Sequence, residues 1–224
     1  MNVKNLEAKS CILCGASVRW LEDTIRVANK PIRYAVCLQC ELIQKTQTTP
    51  SLKEEKTQYD YHDNSFENSG YVDYLNRFAT EAVDPFIKAG KGLEFGSGPG
   101  PVLFALLKKR GFDMRHYDPF YHPEQSVFKT TYDLITSTEV FEHFQNPLKE
   151  IKRLISLLKP GGILAVMTCF HPKNDAVFLK WWYRRDITHL VFYTENTFKY
   201  LTTLYPITIV YSNHKNIIVF KKEV

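Results

Sequence analysis

Four of the five cysteines fall in two pairs, Cys11-Ile-Leu-Cys14-Gly15 and Cys37-Leu-Gln-Cys40-Glu41, with 22 residues between them. Two-residue gaps let both sulfurs of a pair turn inward on one tight knuckle, and Gly15 can supply positive φ there. The spacing therefore predicts a tetrahedral zinc on Cys11, Cys14, Cys37 and Cys40, structural because four thiolates close the shell to water and substrate. The alternatives are a disulfide framework or a thioredoxin-like pair. Nothing marks the chain for export, and a redox Cys-x-x-Cys should follow a strand and open a helix. Cys169, inside the apolar run Ile163 to Phe170, reads as a small buried hydrophobe.

A second constellation is Leu93-Glu94-Phe95-Gly96-Ser97-Gly98-Pro99-Gly100-Pro101, followed by an apolar run from Val102 and a stop at Gly111. It reads as strand, glycine turn and helix, with Pro101 at the helix start. The glycines keep side chains away so that a nucleotide-like ligand can lie against backbone amides at a helix start. A dinucleotide fingerprint needs a small residue where Pro101 stands, which weakens a nicotinamide cofactor. Phe112 to Asp118 reads as a second strand ending in an acid 22 residues after Gly96, placed to accept hydrogen bonds from two ribose hydroxyls.

Further along, Glu139, Glu142 and His143 stand at i, i+3 and i+4. On a helical turn they project together, either as a facial ligand set for a divalent ion or as a wall of the pocket. His189 follows Tyr183, Arg184, Arg185 and Asp186 in a loop where substrates enter such sheets. Its imidazole, ordinarily titrating near neutrality, suits a general base; the alternative is a hydrogen-bonded loop histidine. Arg184 and Arg185 could hold a phosphate or carboxylate, or one could pair with Asp186.

These groups need a scaffold. Tyr71, Tyr74 and Phe78 share a helical face, and Tyr132 to Glu139 is a buried strand. An amphipathic helix spans Asn146 to Lys159, and Pro160-Gly161-Gly162 leads into a strand from Ile163 to Phe170. Thr194 to Leu204 is a helix, and Ile207–Tyr211 with Ile217–Phe220 make a closing antiparallel pair. Ser17 to Ala35 reads as a small hairpin. The order strand, helix, strand repeated argues a parallel α/β sheet.

Glu94, Gly96, Gly98 and Gly100 match the first motif of the class I S-adenosylmethionine-dependent methyltransferases, and Glu139-Val-Phe-Glu142-His143 and Leu158-Lys-Pro-Gly-Gly162 closely resemble phrases of the same family. The resemblance covers roughly residues 69–224 and implies a Rossmann-like, seven-stranded α/β sheet. It implies S-adenosylmethionine held by Glu94, Gly96, Ser97, Gly98, Asp118 and Thr138, with His189, His143 and Glu139 at the reacting centre. Only 13 residues separate Asp118 from Tyr132, so the third strand should be short, at Ser126 to Phe128, with one helix lost. The Glu-x-x-Glu-His phrase binds a divalent ion in small-RNA 3′-terminal 2′-O-methyltransferases and in some quinone-pathway O-methyltransferases. The cysteine segment resembles the N-terminus of sugar C-methyltransferases, whose Tyr-x-Glu-His catalytic loop is matched here only at His189, with Asp186 and Thr188 in place of the Tyr and Glu. The substrate is not carried over with that resemblance.

The chain divides into a zinc-binding module (1–48), a linker or lid (49–68) with lid roles for Tyr59 and Tyr61, and the methyltransferase domain (69–224). The net charge of +5 is small, and residues 151–224 carry 11 basic against 4 acidic groups. A small-molecule acceptor is the expected partner, and a nucleic acid gripped by this basic part stays open. A non-catalytic zinc-ribbon protein is the third reading. No apolar run is long enough for a membrane span, and a cytoplasmic location is expected.

Overall fold

The computed structural model describes residues 10–27, 30–46, 50–60 and 64–224; the expected lid residue Tyr61 lies outside them. The chain opens with three strands, β1 (Val18–Val27), β2 (Lys30–Cys37) and β3 (Ile43–Lys45), then α1 (Leu52–Asp60) and α2 (Ser69–Ala82). An alternating stretch follows: β4 (Lys91–Phe95), α3 (Val102–Lys109), β5 (Asp113–Tyr117), β6 (Tyr132–Thr138), α4 (Pro147–Leu157) and β7 (Leu158–Met167). The chain then runs through α5 (Asp175–Lys180), β8 (Val191–Phe192), α6 (Glu195–Leu204), β9 (Ile207–Ser212) and β10 (Ile217–Lys222).

The larger sheet has the order β5-β4-β6-β7-β10-β9. Its first four strands are parallel, and β10 runs antiparallel to both β7 and β9. This is the α/β class expected, with six strands rather than seven. Residues Gln125–Lys129, where a third strand was expected, form a 3₁₀ turn instead. Too little chain is left there for a crossover, and Tyr132 donates its hydroxyl to the Val127 carbonyl at 2.8 Å, closing the segment on itself. The strand after α4 begins at Leu158, earlier than expected, with an irregularity that absorbs Pro160-Gly161-Gly162.

Helices α2 and α3 cover one face through Leu75, Phe78, Leu103 and Leu107, and α4 and α6 cover the other through Ile151, Leu154, Phe198 and Leu201. α4 begins as its sequence dictates: Pro147 takes the first position and the Asn146 side chain accepts the Lys149 amide. Strands buried on both faces favour apolar runs: β7 has one from Ile163 to Met167, whereas β6 has only Leu134 and Ile135 together and completes its buried stretch with the small polar Thr136, Ser137 and Thr138.

The smaller sheet, β1-β2-β3-β8, is antiparallel, and its last strand comes from the chain after His189. Tyr34, Val36 and Ile43 of this sheet pack with Phe178, Tyr183 and Phe192 in one cluster. Cys11, Cys37 and Cys40 lie in the same core as Phe141 and Phe198. Cys169 packs at the margin of the small-sheet cluster, where burial pushes its thiol up to about 12. Among the described residues no helix is long and apolar enough to cross a membrane.

Candidate active site

The chain leaves β4 for β5 on one side and later returns to form β6 on the other, so the carboxyl ends of β4 and β6 diverge. Such a switch point opens a crevice, and a cavity of about 770 Å³ lies there. Its floor is the Gly96–Pro99 turn and its sides are the ends of β5 and β6; Tyr71 and Tyr74 of α2 and Glu55, Gln58 and Tyr59 of α1 close it over. The Tyr59 ring stands edge-on to His143 at 5.2 Å and to Phe120 at 5.7 Å. Tyr71 and Tyr74 face the cavity, and Leu75 and Phe78 seat the helix.

The glycine turn is bare for a steric reason. Gly96 and Gly98 both have positive φ, +82° and +63°. A Cβ on Gly96 would come within 2.3 Å of Val140, whereas one on Gly98 would meet only the Asn64 side chain at 3.8 Å. Asp118 holds this turn. Its Oδ2 accepts the Gly98 amide at 3.0 Å, and its Oδ1 accepts the amides of Phe120 and Tyr121 at 2.9 and 3.1 Å. Ser97 and Thr138 line the cavity as well.

Glu94 is placed differently from its sequence expectation. It does not line the cavity; its Oε2 accepts the Phe104 amide at 2.8 Å, in a first helical turn whose N-cap, Pro101, has no side-chain acceptor. Burial pushes its carboxyl up to about 8.

Glu139, Glu142, His143 and His189 meet in one corner of the cavity. The segment from Phe141 to His143 is a 3₁₀ turn rather than an α-helical one, and Glu139 enters it with φ of 54°. The Glu139 carboxyl is thereby directed at two phenols that sequence reasoning did not single out together: Tyr74 donates to Oε1 at 2.9 Å and Tyr183 to Oε2 at 2.8 Å. Burial, and secondarily the Glu142 charge, push Glu139 up to about 8. Glu142 accepts from the Thr168 hydroxyl at 2.8 Å, and burial raises it to about 6.

His143 Nδ1 is 3.0 Å from the Thr188 carbonyl and His189 Nδ1 is 2.7 Å from the Tyr183 carbonyl. A carbonyl only accepts, so each Nδ1 carries its proton and each Nε2 presents a lone pair. Burial lowers both imidazoles, His189 to about 3, with the neighbouring His143 adding to the effect. A histidine titrating near neutrality, as expected for His189 from its loop position, is therefore not what the fold makes of it.

Arg184 is likewise not free for a substrate. It is buried, ion-paired with Asp23 of β1, hydrogen-bonded to the Tyr34 hydroxyl at 3.1 Å, and donates to the Phe178 and Leu179 carbonyls. Asp186 instead accepts from the Thr188 amide and hydroxyl. Arg185 does line the cavity.

Away from this cavity the four cysteines converge, with all four sulfurs within 4.8 Å of one another. Cys11 and Cys40 sulfurs are 3.7 Å apart and those of Cys14 and Cys37 are 3.3 Å apart. The Gly15 knuckle has positive φ as expected; the second knuckle achieves the same with Glu41 at φ 64°. The Glu41 carboxylate accepts from Thr194, Asn196 and Lys173, tying the knuckle to the start of α6.

No curated protein sequence matches the chain. Among solved structures it resembles the magnesium protoporphyrin IX methyltransferase of Synechocystis PCC 6803 (16% identity, 77% of this chain and 95% of that one, TM-score 0.50). It also resembles the 1,6-didemethyltoxoflavin-N1-methyltransferase of Burkholderia thailandensis (12% identity, 91% of this chain and 100% of that one, TM-score 0.50). Both likenesses are of fold. A family model described as a methyltransferase domain matches residues 64–205, a span that contains the glycine turn, Asp118 and the Glu139–His143 corner, and the chain belongs to that methyltransferase family.

Proposed function

We propose that the protein transfers a methyl group from S-adenosylmethionine to an oxygen or carbon of a small-molecule acceptor. The observation that carries this reading is the single cavity joining the bare glycine turn to the glutamate–histidine corner. The residues fit the cofactor. The Ser97 hydroxyl is buried with no hydrogen-bond partner among the described residues, and Gly96 and Gly98 leave the turn open beside it. A carboxylate has roughly four lone-pair positions, and three on Asp118 are taken by amides, leaving room for one ribose hydroxyl rather than two. Two structural neighbours hold S-adenosylhomocysteine, in line with this assignment.

S-adenosylmethionine supplies a methyl group on a sulfonium. The chain's own residues align the acceptor and exclude water, and alignment supplies most of the rate. Tyr59 and Tyr71 close the chamber, and Arg185 is the arginine left for an acceptor's carboxylate or phosphate. An acceptor hydroxyl or acidic carbon loses its proton toward the corner where Glu142, His143 and His189 present a carboxylate and two lone pairs. Calorimetric titration with S-adenosylmethionine and S-adenosylhomocysteine should show saturable binding; no binding at millimolar ligand refutes the reading. Mass spectrometry of extract incubated with labelled cofactor would then identify the acceptor.

For the cysteine cluster we propose structural zinc. Four sulfurs about 2.3 Å from a shared ion lie roughly 3.8 Å apart in a tetrahedron, close to the 3.7 Å between Cys11 and Cys40. Such a reduced cluster suits the cytoplasm. Elemental analysis should find one zinc per chain, removed by replacing any pair of these cysteines.

A further inference from the structure

The cavity lining is acidic: Glu55, Asp118, Glu139, Glu142, Glu150 and Asp186 stand against a single arginine, Arg185. We propose that the methyl acceptor is a primary amine of the 1,2-amino alcohol class, its ammonium anchored by Glu142 and His143 and its neighbouring hydroxyl facing His189. This names the substrate class of the methyltransferase reading and rests on that reading.

Hydrogen-bond inventory comes first. Each Nδ1–H of the two histidines is engaged by a backbone carbonyl, at Thr188 and at Tyr183, so both Nε2 atoms can only accept. Glu142 is fully buried, and its Oε1 has no hydrogen-bond partner among the described residues while Oε2 takes the Thr168 hydroxyl. A buried carboxylate oxygen beside two imidazole lone pairs is costly unless a ligand brings donors to it. Three acceptors ask for three protons. A diol brings only two, whereas an ammonium with a hydroxyl on the next carbon brings four.

Spacing agrees with that count. The three acceptor atoms lie within 4.8 Å of one another, and Glu142 Oε1 is 3.7 Å from His143 Nε2. One nitrogen about 2.9 Å from each of two acceptors, its N–H bonds diverging tetrahedrally, spans up to about 4.7 Å. A single ammonium therefore reaches both, and the third acceptor falls to the adjacent group.

Charge selects the amine as well. Burial raises Glu142 only to about 6, so it is ionised at neutral pH, while Glu139 beside it is raised to about 8. The ion-pair neighbour of Glu142 among the described residues is His143, which is held neutral. A buried carboxylate without a countercharge is strongly unfavourable, and a cationic ligand supplies one. The Tyr59 and Tyr183 rings, 5.2 Å from the His143 ring and 4.2 Å from the His189 ring, add aromatic surface suited to a cation. Arg185 is left for an anionic group elsewhere on the acceptor.

Calorimetric titration of the full-length protein, with and without saturating S-adenosylhomocysteine, tests this with three probes of one shape: trans-2-aminocyclohexanol, trans-cyclohexane-1,2-diol and trans-2-hydroxycyclohexanecarboxylate. The amine should bind at least about tenfold tighter than the diol, and the carboxylate should show no saturable binding. Glu142→Gln should bring the amine to within about twofold of the diol, with thermal melting on the same samples establishing that the variant is folded. An unmodified chain that binds no probe at tens of millimolar, or that binds the diol or the carboxylate as tightly as the amine, overturns the proposal. So does a preference that survives in folded Glu142→Gln, or one lost once S-adenosylhomocysteine is bound, since the corner would then belong to the cofactor's own ammonium. Any of these results with S-adenosylhomocysteine binding intact leaves the methyltransferase reading standing. Absence of that binding refutes the reading, and the amine preference is still measured without it.

Discussion

Asp118→Asn is the substitution that most directly probes how the cofactor turn is held. The native carboxylate accepts three amides, from Gly98 on one oxygen and from Phe120 and Tyr121 on the other. Asparagine has the same shape but only one acceptor oxygen. In its better orientation the oxygen keeps Phe120 and Tyr121, and the NH₂ faces the Gly98 N–H, donor against donor. The loss is one bond to a charged acceptor, about 1.5–3 kcal/mol. Most of that falls on the conformation of the Gly96–Gly98 turn, which ligand binding must then restore. Affinity for S-adenosylhomocysteine should drop about ten- to a hundredfold, since each 1.4 kcal/mol is a factor of ten. Calorimetry against the unmodified chain measures it, with circular dichroism melts reporting how much appears as lost stability. Asp118→Ala, which removes all three bonds, should cost more in both. If Asp118→Asn binds within about twofold of the unmodified protein and melts at the same temperature, the carboxylate is not what shapes the turn.

Gly98→Ala should cost only the left-handed backbone penalty of roughly 1–2 kcal/mol, while Gly96→Ala should cost clearly more through its overlap with Val140 and be partly rescued by Val140→Ala in a double-mutant cycle. Arg184→Met should destabilise by about 3–5 kcal/mol in denaturant unfolding because it strips the guanidinium from buried Asp23, with Asp23→Asn in the same chain costing less than the sum. Glu94 has a folded pKa of about 8 against an ordinary 4.5. A raised pKa means that its contribution is fully present below the ordinary value and is lost as pH rises toward 8. The loss has a ceiling on the order of 5 kcal/mol from 1.36 kcal/mol per pH unit. Glu94→Gln should therefore match the unmodified chain in thermal melts near pH 5 and exceed it near pH 8; parallel curves would refute the assignment.

What could be read along the chain was what depends on short spacing. The cysteine knuckles, the glycine turn, the acid closing β5 and the apolar run of β7 are each set by residues a few positions apart, where sterics and periodicity act directly. The rest depends on contacts across the chain. Arg184 looks like a substrate anchor until the hairpin of Asp23 and Tyr34 is folded against it. His189 looks like a neutral-pH base until it is buried against the rings of Tyr183 and His143. Glu94 matches a cofactor motif, yet its work is to accept an amide of α3, because Pro101 cannot cap. The pairing of Tyr74 and Tyr183 on Glu139 spans more than a hundred residues and leaves no periodic trace.

The two-residue strand Val191–Phe192 belongs to the small sheet through β3, yet it follows His189 by one residue. Together with Glu41 on Asn196 and Asp23 on Arg184, it ties the N-terminal small sheet to the segment that carries Arg185 and His189 into the cavity. A protease nick between Lys45 and Leu52 should therefore yield two fragments that still migrate as a single particle. Excising the cysteine-bearing piece altogether would strip the strand partner of Val191–Phe192 and the ion-pair partner of buried Arg184, so a minimal protein trimmed to its large sheet is not a sensible engineering target.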